Sequence, residues 1–144
     1  MYKRILVPTD GSEISTKAAQ TAVALAKQNN ATVYAISVKE PFPYSAISEM
    51  QPVPPQEFYD AQERIAAARV KTVVDVAGPA GVTCKAHTVE ALHAWEAILD
   101  HAKSQQCDLI VMASHGRRGM AALLLGSETS RVLTHSQIPV LVVK

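Results

Sequence analysis

Four short runs of apolar, mostly β-branched residues set the terms for this chain. They are Lys3-Arg4-Ile5-Leu6-Val7-Pro8, Thr32-Val33-Tyr34-Ala35-Ile36-Ser37-Val38, Asp108-Leu109-Ile110-Val111-Met112-Ala113 and Pro139-Val140-Leu141-Val142-Val143. Each is mostly continuous rather than alternating, the pattern of a strand covered on both faces. Such runs predict a parallel sheet with helices above and below. A fifth run, residues 82–89, alternates more and carries Lys85 and His87, which suits an edge strand.

Helical spacing fills the intervals. Asp10-Gly11-Ser12 supplies a turn and an N-cap for a helix over 12–29, with Ala18, Ala22, Leu25 and Ala26 inward. A second helix, 57–77, places Ile65, Ala68, Val73 and Val76 inward and stops at Gly78-Pro79-Ala80-Gly81. A third, 92–105, gathers Trp95, Ile98, Leu99 and Ala102 on one face. The fourth, 127–135, is short, with Ser127 as N-cap and Val132 and Leu133 inward. Strand and helix alternate throughout, and right-handed crossovers turn that alternation into a doubly wound α/β sheet.

A chain of 144 residues buries roughly 68% of its extended surface, enough for one good core, so one domain over 1–144 is expected. Residues 41–55 hold Pro41, Pro43, Pro52, Pro54 and Pro55, and the connection is longer than ordinary α/β loops. It reads either as a lid or as a mobile segment.

Charge and composition exclude several classes. Fourteen Lys+Arg against thirteen Asp+Glu give no lopsided basic face for nucleic acid. No apolar run approaches the ~20 residues of a membrane span. The first residues run straight into a strand pattern and do not resemble a signal peptide. Cys84 and Cys107 form no CxxC pair and read as small core residues of a reduced, cytoplasmic protein. The scattered His87, His93, His101 and His135 do not suggest a zinc site.

In open α/β sheets ligands bind beyond the carboxyl ends of the strands, where strand order reverses. Three segments stand there: Pro8-Thr9-Asp10-Gly11-Ser12 after the first strand, Ser37-Val38-Lys39 after the second, and residues 112–127 after the fourth. Gly116 and Gly119 let backbone pass close to a ligand. Gly126-Ser127 opens a helix whose free N–H groups suit an anion, and Arg117 and Arg118 add positive charge. These features suit a polyphosphate, although glycines and a capping serine also serve plain turns. No Walker A loop and no GxGxxG fingerprint occurs where either would belong.

Ile5-Leu6-Val7-Pro8-Thr9-Asp10-Gly11-Ser12, Asp108 through Gly119, Leu124-Leu125-Gly126-Ser127 and Ile138-Pro139-Val140-Leu141-Val142-Val143 resemble the universal stress protein family over the whole chain. The resemblance implies an α/β sheet of order 3-2-1-4-5 and homodimers joined through the last strand. It also implies, in one branch, ATP binding through Gly-x2-Gly-x9-Gly-Ser/Thr. Here Gly116, Gly126 and Ser127 match that pattern, and Ala113 stands in the place of its first glycine. A methyl group excludes the ligand only if that residue needs φ > 0 or touches the ligand directly. Leu92 and Ala94 replace a Gly and a Pro common in the family, which blurs the start of the third helix.

Carried over residue by residue, the resemblance implies that Asp10 contacts the ribose or a phosphate-bound magnesium ion, with Pro8 and Thr9 on the same wall. Val38 would meet adenine through its backbone. Met112, Ala113 and Ser114 would border base and ribose, and Gly116, Arg117, Gly126, Ser127, Glu128 and Thr129 would surround the phosphates. His115 reads as a loop hydrogen-bonding residue rather than part of a triad. Three functions follow: an ATP-binding regulatory module, a nucleotide-free interaction module of the same fold, and, ranked lowest, a slow ATPase. A Gly126→Val change is expected to block phosphates while sparing the fold.

Overall fold

The computed structural model describes residues 1–42, 55–116 and 125–144. Residues 43–54, most of the proline-studded connection, and residues 117–124, which include Arg117, Arg118 and Gly119, lie outside the described part.

Five parallel strands run Arg4–Pro8 (β1), Thr32–Lys39 (β2), Cys84–Glu90 (β3), Leu109–Ala113 (β4) and Val140–Val143 (β5). Their order is β3-β2-β1-β4-β5. The helices are Glu13–Asn29 (α1), Gln56–Ala77 (α2), Ala94–Ser104 (α3) and Ser127–His135 (α4). The expected sheet and its order are therefore found. β1 runs level with β2 from Arg4 opposite Thr32 to Pro8 opposite Ile36, and with β4 at Ile5–Leu109 and Leu6–Ile110.

The unbroken apolar character of β1 has a direct cause. Ile5 and Val7 face α1 and α2, together with Val33, Ala35, Leu109 and Val111. Leu6 faces the other way, into a core of Tyr34, Ile36, Ile98, Ile110, Met112 and Val132 under α3 and α4. Consecutive strand residues point to opposite faces, and both faces are covered, so every position is apolar. Ala18, Ala19, Ala22 and Ala26 make the buried stripe of α1, and such small side chains let a helix approach the sheet closely.

Local signals explain most boundaries. The Ser12 hydroxyl accepts from Ser15 N at 3.3 Å, as an N-cap should. α1 ends at Asn30 in the left-handed region, with φ 52°, a conformation asparagine tolerates. Asp108 pins the start of the sheet: Lys3 N and Arg4 N donate to its two carboxylate oxygens at 2.8 and 3.0 Å.

Four expectations need correction. α2 buries Ala66, Val70, Val73 and Ala77, whereas Ile65 is 44% exposed and Ala68 also faces solvent. The inward face is rotated so that Ala66 and Ala77 join Val70 and Val73 in burial while Ile65 is left outside. Leu133 of α4 is exposed, with Val132 alone of that pair buried. Gly126, not Ser127, is the N-cap of α4, and Ser127 is its first helical residue. Cys107 is buried as expected, but Cys84 on the edge strand is only half-buried. Among the described residues, no helix is long and apolar enough to cross a membrane.

Candidate functional site

The chain order reverses between β1 and β4, so the crevice lies where Pro8 and Ala113 end adjacent strands. Thr9 shapes the first wall: its N–H donates to Ile36 O at 2.9 Å. Its hydroxyl accepts from Gly11 N at 3.1 Å and meets the Ser15 hydroxyl at 3.2 Å. Gly11 has φ 79°, a left-handed turn that favours glycine. The turn returns Ser12 N to Asp10 Oδ1 at 2.9 Å. Asp10 is thus oriented by the start of α1, whose N-terminal dipole favours negative charge nearby.

The second wall follows β4. Ser114 is tied on both sides: its N–H donates to Val143 O at 2.8 Å, and its carbonyl accepts from Gly126 N at 2.7 Å. The loop between those bonds returns Gly126 to the strand it left. A Cβ added at Gly126 would lie 3.0 Å from His115 Cα and 3.5 Å from Ser114 O. A bulky side chain therefore presses on the backbone here, so Gly126→Val spares the fold only if the backbone at His115 gives way by a few tenths of an ångström. At Gly116 an added Cβ would stand 2.8 Å from Asp10 Oδ2, so the Asp10 carboxylate rests against bare backbone.

Beside these walls, between the first turns of α1 and the start of the loop after β4, lies an open cleft of about 580 Å³ lined by Gly11, Ser12, Glu13, Ile14, Lys17, His115 and Gly116. Of the expected nucleotide-site residues that are described, Gly116 alone lines it. Lys17 and Glu13 escape a reading confined to strand ends and α4, because they belong to the first turns of α1. Helical spacing from Ser12 is the signal that places them there. His115 makes a local hydrogen bond, its Nδ1 lying 3.2 Å from the Ser114 hydroxyl.

Pro8, Thr9, Asp10, Ala113, Ser114, Gly116 and Gly126 thus meet at one end of the sheet. Ala113 closes β4 opposite Val143 and is absent from the residues with positive φ. The left-handed conformation that would demand glycine does not arise there. The side chains of Val38 and Met112 turn into the core under α3 and α4. Two α4 side chains have structural work. Thr129 donates to Ala113 O at 2.8 Å. The Glu128 carboxylate accepts from Trp95 N at 2.8 Å, supplying the N-terminal partner that His93 does not give α3. Arg117 lies outside the described residues.

Hydrogen bonds from Lys39 and then Thr88 hold the Glu63 carboxyl below its usual range, favouring the carboxylate and tying α2 to β2 and β3. Burial raises Cys84 and pushes Cys107 up to about 11. Among the described residues no cluster of three or more metal-ligating side chains forms. A magnesium ion fits this site only as Mg²⁺ fits most phosphate sites, through one carboxylate, the phosphates and water. Asp10 is the carboxylate at the right place.

The family model for the universal stress protein family matches residues 1–144. The chain belongs to the universal stress protein family. Universal stress protein MJ0531 of Methanocaldococcus jannaschii is 36% identical over 153 residues, spanning 100% of this chain and 83% of the relative. The solved structure of MJ0577, from the same organism, is similar at 29% identity and a TM-score of 0.84. That likeness covers 100% of this chain and 96% of the other. A universal stress protein solved in complex with cAMP is similar at 25% identity and a TM-score of 0.72, covering 99% and 97%. Family membership and strand order thus agree, and an adenine nucleotide is a ligand of at least one structural relative.

Proposed function

We propose that this universal stress protein is a regulatory module that binds ATP, with Mg²⁺ accompanying the triphosphate, in the crevice between β1 and β4. The observation that carries the reading is the meeting of Asp10 with Gly116, which itself lines the cleft beside the start of α1. An acidic group held by Ser12 N can take a ribose hydroxyl or a phosphate-bound cation. Gly116 and the Gly126-Ser127 helix start leave backbone open to phosphate oxygens. In this account Pro8 and Thr9 line the wall, and Val38 and Met112 border adenine through their backbone. Ala113 and Ser114 lie beside the ribose, and Gly116, Arg117, Gly126, Ser127, Glu128 and Thr129 surround the phosphates. The cAMP-bound relative supports an adenine ligand.

The module works as a cytoplasmic homodimer in this reading. β5 is an edge of the sheet and exposes Leu141, so a symmetric copy can satisfy its outer ladder groups. Cys84 and Cys107 are unpaired, which suits a reducing compartment. Binding needs no catalytic base, and the function is regulatory rather than enzymatic. Titration calorimetry of the purified protein with Mg-ATP tests the proposal. Saturable heat and a thermal shift support it, whereas neither at millimolar ATP favours the nucleotide-free module, in which Ala113 marks a lost site.

A further inference from the structure

We propose that His87 and His101 form a proton-operated latch that holds α3 against the edge of the sheet and loosens under mildly acidic conditions. His101 lies on the buried side of α3 and is 8% exposed. Among the described residues its buried Nε2 has no hydrogen-bond partner. The ring of His87, a solvent-exposed residue of edge strand β3, covers it from outside, with centroids 4.9 Å apart and planes at 58°. His87 is level with Ile36, which shares a core with Ile98 and Ala102 of α3. The pair therefore bridges an edge strand and a helix on one apolar face.

Neutral rings suit this contact and charged rings do not. A proton added at the buried nitrogen finds no acceptor, and two imidazolium rings at this separation repel. Burial first, and the charge of His87 second, hold His101 below its usual value of 6.5. The neighbouring elements offer no relief. On β3, Lys85 stands 5.7 Å from the centre of the Tyr34 ring of β2. On α4, Glu128 is committed to Trp95 N and His135 to stacking on the Trp95 ring; Arg131 is the remaining charge there. Asp100 and Lys103 flank His101 on α3 itself, and neither bonds the buried nitrogen.

An opened α3 takes its proton at the ordinary value, whereas the closed state resists it. The latch is thus fully closed above 6.5 and weakens as pH falls below it. Glu128 ties α3 to α4, so opening also frees the helix that begins at Gly126. The device belongs to the fold and operates whether or not the cleft holds a nucleotide.

Hydrogen exchange on the full-length protein, corrected for the intrinsic effect of pH, tests the latch. Between about pH 7.5 and about pH 5.5, opening of residues 84–90 and 94–104 should rise by up to about tenfold, while α1 stays protected. A His101→Leu variant should lose that response. If the variant does not fold, an NMR titration of the His101 ring in the native protein decides instead, with a value below 6.5 expected. Unchanged protection, uniform loosening of all four helices, or a His101 titrating at or above 6.5 would each overturn the latch.

Discussion

Asp10 and Gly116 follow adjacent strands and meet so closely that a Cβ on Gly116 would lie 2.8 Å from Asp10 Oδ2. The other Asp10 oxygen is held by Ser12 N, so the carboxylate has little room to yield. Gly116→Ala should displace Asp10 and weaken Mg-ATP binding by about tenfold, or about 1.4 kcal/mol. Because the clash involves a side-chain end at the protein surface, the urea midpoint should barely move. Calorimetric titration of the variant checks this; undiminished affinity would detach the Asp10–Gly116 contact from the ligand site.

Gly126 carries a different constraint. Its added Cβ would press on the backbone at His115, so Gly126→Val should lower stability by about 1–3 kcal/mol as overpacking does. Gly126→Ala, with φ already at −70°, should cost less. Urea denaturation of both variants measures the difference. Equal stability of Gly126→Val and the parent would show that the loop yields freely.

Glu128 separates a structural role from a ligand role. Removing its carboxylate leaves Trp95 N at the start of α3 without its partner. Glu128→Ala should cost about 1 kcal/mol, in line with loss of a helix cap. Calorimetry should find Mg-ATP affinity within a few-fold of the parent, since in the proposed site the Glu128 carboxylate is committed to Trp95 N and only its backbone would border the phosphates. A large loss of affinity with unchanged stability would reverse that assignment.

Asp108 clamps Lys3 N and Arg4 N at the opening of β1. Two charge-assisted bonds to backbone are lost in Asp108→Ala, and a drop of about 1–3 kcal/mol is expected. Chemical denaturation reads it, and a change within error would mean that water replaces the carboxylate at no cost.

Cys107 gives a pH-dependent test. Burial first, then the Asp108 charge, raises its thiol from 9.0 to about 11. The folded state favours the neutral thiol, so its contribution is complete below pH 9.0 and fades as pH climbs toward about 11. At about pH 8, labelling of Cys107 by a thiol reagent should occur only at the rate of unfolding. Rapid labelling of the native protein would contradict the burial.

The sheet was legible because its cause is local. A strand covered on both faces must be apolar at successive positions, and Ile5-Leu6-Val7 and Leu109-Ile110-Val111-Met112 declare this directly. The turn at Asp10-Gly11-Ser12 was legible for a similar reason, since its hydrogen bonds span two or three residues. The phase of α2 was not. Ala66 and Ala77 meet the sheet while Ile65 faces solvent, and alanine-rich stripes carry little hydrophobic contrast. Glu128 capping α3 and Asp108 clamping β1 link positions 33 and 105 apart. No spacing within a window reveals such pairs. Lys17 and Glu13 escaped because the cleft is bounded by a helix face as well as by strand ends.

The central claim is that the crevice at Asp10 and Gly116 holds ATP. Its most direct test is mass spectrometry of the denatured protein after purification without added nucleotide, paired with Mg-ATP titration of the stripped chain. The account predicts that ATP is released in stoichiometric amount, that the stripped chain rebinds it, and that Gly116→Ala retains far less. A chain that releases no adenine nucleotide and gives no heat with saturating Mg-ATP would contradict it.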